Sequence, residues 1–337
     1  MLQVNIHGAG DVRLDPAREP AAGANDIIVR TGACGICGSD LSYIDMGGIA
    51  IAPGGAMALG HEFSGTVETV GHAVRDLVPG QRVVVDPMQA SDIGNGGPEG
   101  AFTPLLLVRN ARLGANVHEV PRDMPFERAA LVEPLAVAMH AVNNAAPTAQ
   151  DKVVVYGAGC IGLGAILALR HRGVQEIAVV DLSDERLRRA RELGATVTLN
   201  PQRDDVLAGL RAAHGESEVY GTPLTASSVF IEATGAEPAF NEIVRIAPFA
   251  ARVIVVALHK KQAPLDLMLV MMKELAIRGS IGYPREFPEV IAMLRNPALD
   301  VGPIISHRYA LKDFMQALAT ARNPTISAKV MITTFED

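Results

Sequence analysis

The sequence predicts an α/β protein of two domains, a small loop-rich β domain followed by a doubly wound parallel sheet. Three observations carry this. The N-terminal part is rich in Val, Gly and Pro and runs as short β-like stretches bounded by turns. Lys152–Tyr156 (KVVVY) is a continuous apolar run, the mark of a parallel strand buried on both faces. Beyond it, strand and helix patterns alternate. With 337 residues, 49% of them hydrophobic and 20% charged, the chain has material for two cores.

In the N-terminal part, DIIVRTG (26–32), SGTVETVGHAV (64–74) and PGQRVVVDP (79–87) read as strands, and residues 86–100 as a glycine- and proline-rich loop. One helix is expected over 125–144, with Pro125 near its start. After KVVVY come a helix (161–172), a strand (177–180) and a charged helix (184–193). Further strands are expected at 229–232, 252–258 and 275–279. The tail gives helices at 286–295 and 311–321, a short strand near Ile304 and an apolar strand at 328–333.

Composition excludes several classes. Net charge is −7 with no long Lys or Arg run, and aromatics are 4% with no Trp, so nucleic acid and anionic membranes are poor partners. The longest apolar stretches, such as 161–169, fall short of the roughly 20 residues that span a bilayer. The start lacks a basic segment followed by an apolar one, and cysteines at 34, 37 and 160 make no disulfide framework. A cytoplasmic protein is expected.

Gly157-Ala158-Gly159-Cys160-Ile161-Gly162 follows the KVVVY strand directly and opens a helix. Such a turn lets a pyrophosphate approach the backbone, and the helix N-terminus offers N–H donors and a favourable dipole. The next strand ends at Asp181, placed to accept from the adenosine ribose hydroxyls. A carboxylate there repels a 2′-phosphate, so NAD is expected over NADP although Arg186 stands nearby.

Cys37 in G-I-C-G-S-D, His61 and Glu62 in G-H-E, and Glu133 in V-E-P-L are ligand types of a catalytic zinc with an open fourth position. Taken singly, each also fits a plain role, as a core thiol, a satisfied core histidine or a solvated helix carboxylate.

The order of motifs G-A-C-G-I-C-G-S-D, L-G-H-E-F-S-G-T-V-E-T-V-G, V-P-G-Q-R-V-V-V, L-V-E-P-L-A-V-A-M-H-A and the glycine turn resembles the zinc-dependent medium-chain alcohol and polyol dehydrogenases, nearly end to end. The resemblance implies a GroES-like catalytic domain (1–147, completed by 283–337) and a Rossmann NAD-binding domain (148–282). It makes Cys37, His61 and Glu133 zinc ligands, the last acid reaching the metal through water in some members, with Glu62 able to swap in. Ser39 takes the substrate proton; a short diol is expected to place one oxygen on zinc and Ser39 and the other near Glu133 or Tyr43. For the cofactor it points to Val137 under the nicotinamide and to Leu182 and Arg186 at the adenosine ribose. Thr234, Val256, Leu258, Ile281 and Gly282 complete that set. It also implies a homo-dimer or homo-tetramer, with 252–258 and 263–267 as the expected edge.

Two departures matter. Relatives commonly carry a four-cysteine lobe for a structural zinc, whereas the 86–100 loop has no cysteine, so a single zinc per chain is expected. Ser42 stands where members often have a histidine that passes the proton to solvent. Sorbitol-type members usually carry Arg at the position of Gly282, and the loop 46–57 is small and apolar, so a compact secondary alcohol or vicinal diol is the expected substrate. A polyol or threonine dehydrogenase, a metal-free reductase and a non-catalytic NAD-binding protein are the competing readings.

Overall fold

In the computed structural model, which describes residues 1–49 and 55–335, the uninterrupted apolar runs gather into one six-stranded parallel sheet. Its spatial order is Val197–Leu199, Glu176–Val180, Lys152–Tyr156, Val229–Glu232, Arg252–Val255 and Ala276–Gly279. In chain order these strands lie 3-2-1-4-5-6, the arrangement that opens a crevice between the first and fourth strands at their C-terminal ends. Val153 and Val155 pack toward helices Val132–Ala145 and Cys160–His171, while Val154 and Tyr156 pack toward Val206–His214 and Glu237–Ile246. That alternation explains why Val153–Tyr156 carries no charge: both faces are covered.

The alternating patterns build a second sheet, ordered Ile305–Ala310, Lys329–Thr334, Ile27–Ile36, Glu62–Val70, Arg82–Val85 and Val117–Glu119, with Leu105–Val108 also paired to Ile27–Ile36. The C-terminal strand returns to pair antiparallel with Ile27–Ile36 and so joins the same sheet. Together the two sheets make the expected α/β architecture.

Several expectations need correction. The helix expected over 125–144 is two, Phe126–Ala130 and Val132–Ala145, broken at Leu131. Pro134 is the reason. It has no N–H to donate to the Ala130 carbonyl, and the break places it in a first turn, where none is needed. The strand expected over 252–258 stops at Val255 and is no edge: Ala276–Gly279 lies outside it. Ile304 sits in a 3₁₀ turn before the strand Ile305–Ala310. A hairpin at Leu2–Gly8 and Asp11–Pro16, a second at Glu216–Val219 and Thr222–Thr225, and helix Leu267–Met272 were not anticipated.

Candidate active site

Strand pairing brings the ligand candidates together. Ile27–Ile36 and Glu62–Val70 run antiparallel with Gly35 opposite Glu62, so Cys37, just past one strand, meets His61, just before the other. Gly35 is required there: a Cβ would lie 2.3 Å from Glu62 Oε2. One ligand atom each from Cys37, His61 and Glu62 lie within 4.8 Å of one another. Tetrahedral zinc with bonds of about 2.0–2.3 Å needs ligand separations of about 3.3–3.8 Å, so a small contraction suffices.

Asp40 organises this corner and was not singled out from the sequence. Fully buried, it accepts the Cys37 N–H at 2.8 Å at the start of helix Gly38–Met46, and its other oxygen faces His61 Nδ1 at 3.4 Å. The two atoms make no well-directed hydrogen bond at that distance, but the carboxylate lies on the Nδ1 side of the ring and leaves Nε2 to face Ser39. Burial works against charge on His61, but Asp40 and Cys37 outweigh it and raise its pKa well above the usual value. A pocket that favours a cation on imidazole also favours a divalent ion among these donors.

Glu62 has a partner that sequence reading also missed. Lys329, from the C-terminal strand, is 2% exposed and donates to Glu62 at 2.7 Å and to the Ile36 carbonyl at 3.0 Å. The signal was a lysine inside the apolar run 328–333. Glu133, in the first turn of Val132–Ala145, is buried and stands outside the 4.8 Å set. Burial foremost, with Glu62 adding to it, pushes its carboxyl up to about 7, and the buried Tyr283 hydroxyl lies against it without a well-directed hydrogen bond.

Ser39 Oγ lies 3.4 Å from His61 Nε2, and the Tyr43 hydroxyl donates to Asn95 at 3.2 Å, from within the 86–100 loop. Ser42 Oγ bonds back to the Gly38 carbonyl at 3.2 Å, so it serves its own helix. Residues 50–54 of the apolar loop lie outside the described residues. Its last residue, Met57, is 3% exposed in the β-domain core with Val4, Ile6 and Phe63, so it packs inward and does not line a substrate cleft.

At the crevice of the parallel sheet the glycine turn has the required shape. Gly157 has φ +94, and a Cβ on Gly162 would lie 1.7 Å from the Gly157 carbonyl oxygen, so neither tolerates a side chain. A Cβ on Gly159 would meet only Arg186, at 3.9 Å, leaving space over the helix N-terminus where Cys160 and Ile161 are half-exposed. Asp181 accepts the Ala158 N–H at 2.7 Å and the Ser183 N–H at 2.8 Å. Arg186 donates to the Ser327 carbonyl at 2.9 Å, and Leu182 is exposed beside it.

Across the crevice, fully buried Glu232 is a further residue the sequence did not reveal. It accepts the N–H groups of Thr234 at 2.7 Å and Gly235 at 2.9 Å, together with the Thr234 hydroxyl. Its other oxygen meets His259 Nε2 at 2.8 Å, and its backbone carbonyl accepts from Val256 and Ala257. The carboxylate thereby fixes both turns that carry Thr234, Val256 and Leu258. Val137 keeps some exposure while its neighbours on the helix are buried; Ile281 is exposed, and Gly282 has φ +63 against Met88.

Residues 23–117 match the alcohol dehydrogenase GroES-like domain and residues 160–296 match the zinc-binding dehydrogenase family. Sorbitol dehydrogenase of Rattus norvegicus is 31% identical, with 98% of this chain and 95% of that protein aligned, and the Bos taurus enzyme is 32% identical over the same shares. The structure of 2R,3R-butanediol dehydrogenase from Bacillus subtilis superposes with a TM-score of 0.87 at 28% identity, covering 98% of this chain and 99% of that one. A protein of Sinorhizobium meliloti whose structure was solved bound to NADP gives 0.84 at 26% identity, with 98% of each covered. A thiol, an imidazole and a carboxylate gathered at one corner, in a chain matched over 98% of its length by sorbitol dehydrogenase, place this protein among the zinc-dependent medium-chain alcohol and polyol dehydrogenases.

Proposed function

We propose that this chain interconverts small secondary alcohols or vicinal diols with their ketones, using NAD and one catalytic zinc per chain with no structural zinc. The observation that supports it most is the Cys37, His61 and Glu62 group, alone among the described residues in bringing three such ligand atoms together. Glu133 would complete the set through water. A zinc ion held there supplies a Lewis acid that lowers the pKa of a coordinated hydroxyl toward neutrality. The chain's own residues do the rest. Asp40 keeps His61 oriented, and Lys329 holds Glu62 at hand as an alternative ligand. Ser39 accepts the substrate proton and, with Ser42 tied to its own helix, passes it directly to solvent. Asp181 and Arg186 receive the adenosine ribose, the glycine turn the pyrophosphate, and Val137, Thr234, Val256, Leu258, Ile281 and Gly282 the nicotinamide half.

Substrate size follows from Gly282. Its left-handed backbone disfavours a side chain, so no arginine reaches from this position to pair the hydroxyls of a long polyol. Each hydroxyl buried without a partner costs about 1–3 kcal/mol, and two suppress kcat/KM by about a hundredfold. Steady-state kinetics on butane-2,3-diol, propane-1,2-diol, sorbitol and threonine test this, with the short diols expected to lead. Sorbitol or threonine ahead by tenfold overturns it, sorbitol supporting the polyol reading that the sorbitol dehydrogenase relatives favour and threonine the threonine-dehydrogenase reading.

The domain bounds 1–147 with 283–337, and 148–282, belong to the same reading, as does a cytoplasmic location. No helix among the described residues is long and apolar enough to cross a membrane. Assembly as a homo-dimer or homo-tetramer is also part of it. The edge strand Ala276–Gly279 is largely exposed, and Leu267, Met268 and Met271 nearby in sequence are 66–68% exposed, an edge that pairing would cover. A monomeric mass at micromolar concentration contradicts this.

A further inference from the structure

Glu133, Val137, His140 and Asn144 are spaced four, three and four residues apart on helix Val132–Ala145, and so share one face. Glu133 at one end is the acid proposed to reach the metal through water, and Val137 next to it is the partly exposed residue proposed under the nicotinamide. The other two are polar and grip the chain that leaves the parallel sheet at Ser280. Asn144 donates to Ser280 Oγ at 3.1 Å, and His140 Nδ1 lies 2.8 Å from Glu286 Oε1. Between these feet run Ile281, Gly282 and Tyr283, the first two proposed at the nicotinamide and the third lying against Glu133. Among the described residues, 281–285 make no backbone-to-backbone hydrogen bond from their N–H groups; the Arg285 N–H goes to Glu286 Oε2 at 2.9 Å. The segment therefore takes its position from side chains.

We propose that His140 is a positioning residue for the active site, the central member of a latch with Asn144 and Glu286 that pins both feet of the 280–286 segment to the helix bearing Glu133 and Val137. The inference rests on the functional reading above. Hydrogen-bond directions assign the imidazole. The Asn144 amide nitrogen sits 3.2 Å from His140 Nε2 while also donating to Ser280, so Nε2 accepts and Nδ1 carries the proton given to Glu286. Asn143 adds a bond to the same Glu286 oxygen at 3.3 Å, and Arg172 fixes Asn143 at 2.6 Å. The groups facing the imidazole are thus Glu286 and Asn144, with Glu289, His171 and Arg172 paired to one another beyond them. His140 touches neither the cofactor turn nor the ligand cluster; it acts through the segment it holds.

The test separates the two halves of the dinucleotide. His140→Leu should raise the alcohol KM and the Kd for NADH by about tenfold, the scale of one or two ordinary hydrogen bonds. Zinc content and the Kd for ADP-ribose, which lacks the nicotinamide, should stay within twofold. His140→Gln, which retains a donor and an acceptor, should recover most of the loss. Ser280→Ala removes one foot without touching the helix core and should shift NADH binding in the same direction by a smaller factor, with Tm unchanged. NADH binding and KM within twofold of the parent in both His140→Leu and Ser280→Ala, or equal losses of ADP-ribose and NADH binding, overturn the latch. A parent protein that oxidises no alcohol with either cofactor refutes the functional reading instead, and the paired NADH and ADP-ribose measurements still decide the latch.

Discussion

Asp181 does two things in this structure, and two substitutions separate them. Its carboxylate accepts the N–H of buried Ala158 inside the glycine turn at 2.7 Å and that of Ser183 at 2.8 Å. It is also the group proposed to receive the ribose hydroxyls. Asp181→Asn keeps an acceptor oxygen for Ala158 but removes the charge. Hydrogen bonds to a charged group contribute about 1.5–3 kcal/mol, so NAD kcat/KM should fall by about 10–100-fold. Repulsion of a 2′-phosphate is removed at the same time. At about 4 Å and an effective dielectric of about 20, it amounts to roughly 4 kcal/mol per unit charge before screening. The NAD-to-NADP ratio should therefore narrow by about a hundredfold or more. Asp181→Ser should shift the ratio similarly but leave the Ala158 N–H buried and unpaired, costing a further 1–3 kcal/mol or so of unfolding free energy. Steady-state kinetics with both cofactors and urea denaturation of both variants read the two effects independently. An unchanged cofactor ratio in both variants would refute the ribose role and leave Asp181 as a cap on the turn alone.

Other outcomes follow from buried polar groups. Glu232→Leu strands the donors of Thr234, Gly235 and His259, and should cost about 3 kcal/mol or more with a matching loss of NADH affinity. Glu232→Gln, which keeps the acceptor, should lose far less; equal losses would show that the carboxylate's hydrogen bonds do not hold the turns. His214, 1% exposed and bonded to Ser227 at 2.8 Å, has its pKa lowered to about 4, chiefly by burial. Between pH 6.5 and 4 the unfolded chain binds a proton there that the folded chain does not, so stability falls as pH falls, by up to about 3 kcal/mol. His214→Asn should flatten that part of the stability profile measured by urea titration at several pH values; an unchanged slope would contradict the assignment.

Sequence patterning reveals elements whose neighbours are all of one kind. Val229–Glu232 and Lys152–Tyr156 have the expected bounds because both faces of these strands are covered, so Val229–Ile231 and Val153–Tyr156 run without a charge. The hairpin Leu2–Gly8 with Asp11–Pro16 is harder to see, since only Val4, Ile6 and Val12 of its residues turn inward to full burial. Cys37, His61 and Glu62 were legible because local motifs at two strand ends encode them. Lys329 beside Glu62, Glu286 beside His140 and His259 beside Glu232 were not. Those pairs join residues 267, 146 and 27 positions apart, and only the folded sheets bring them into contact. The separation of Glu133 from the 4.8 Å set was equally invisible, because Glu133 lies 71 and 72 positions from Glu62 and His61 and on a helix, whereas those two sit at one strand end.

The central claim is a dehydrogenase working with one zinc per chain, held by the Cys37 and His61 corner. It is tested most directly by stripping the protein of metal and titrating zinc back while NADH formation from the best alcohol of the panel is followed. The rate should climb in proportion to added zinc, reach its plateau at one ion per chain, and stay at background throughout in Cys37→Ala, whose NADH affinity remains that of the parent. Full turnover in the metal-free protein, or a plateau reached only at two ions per chain, would contradict it.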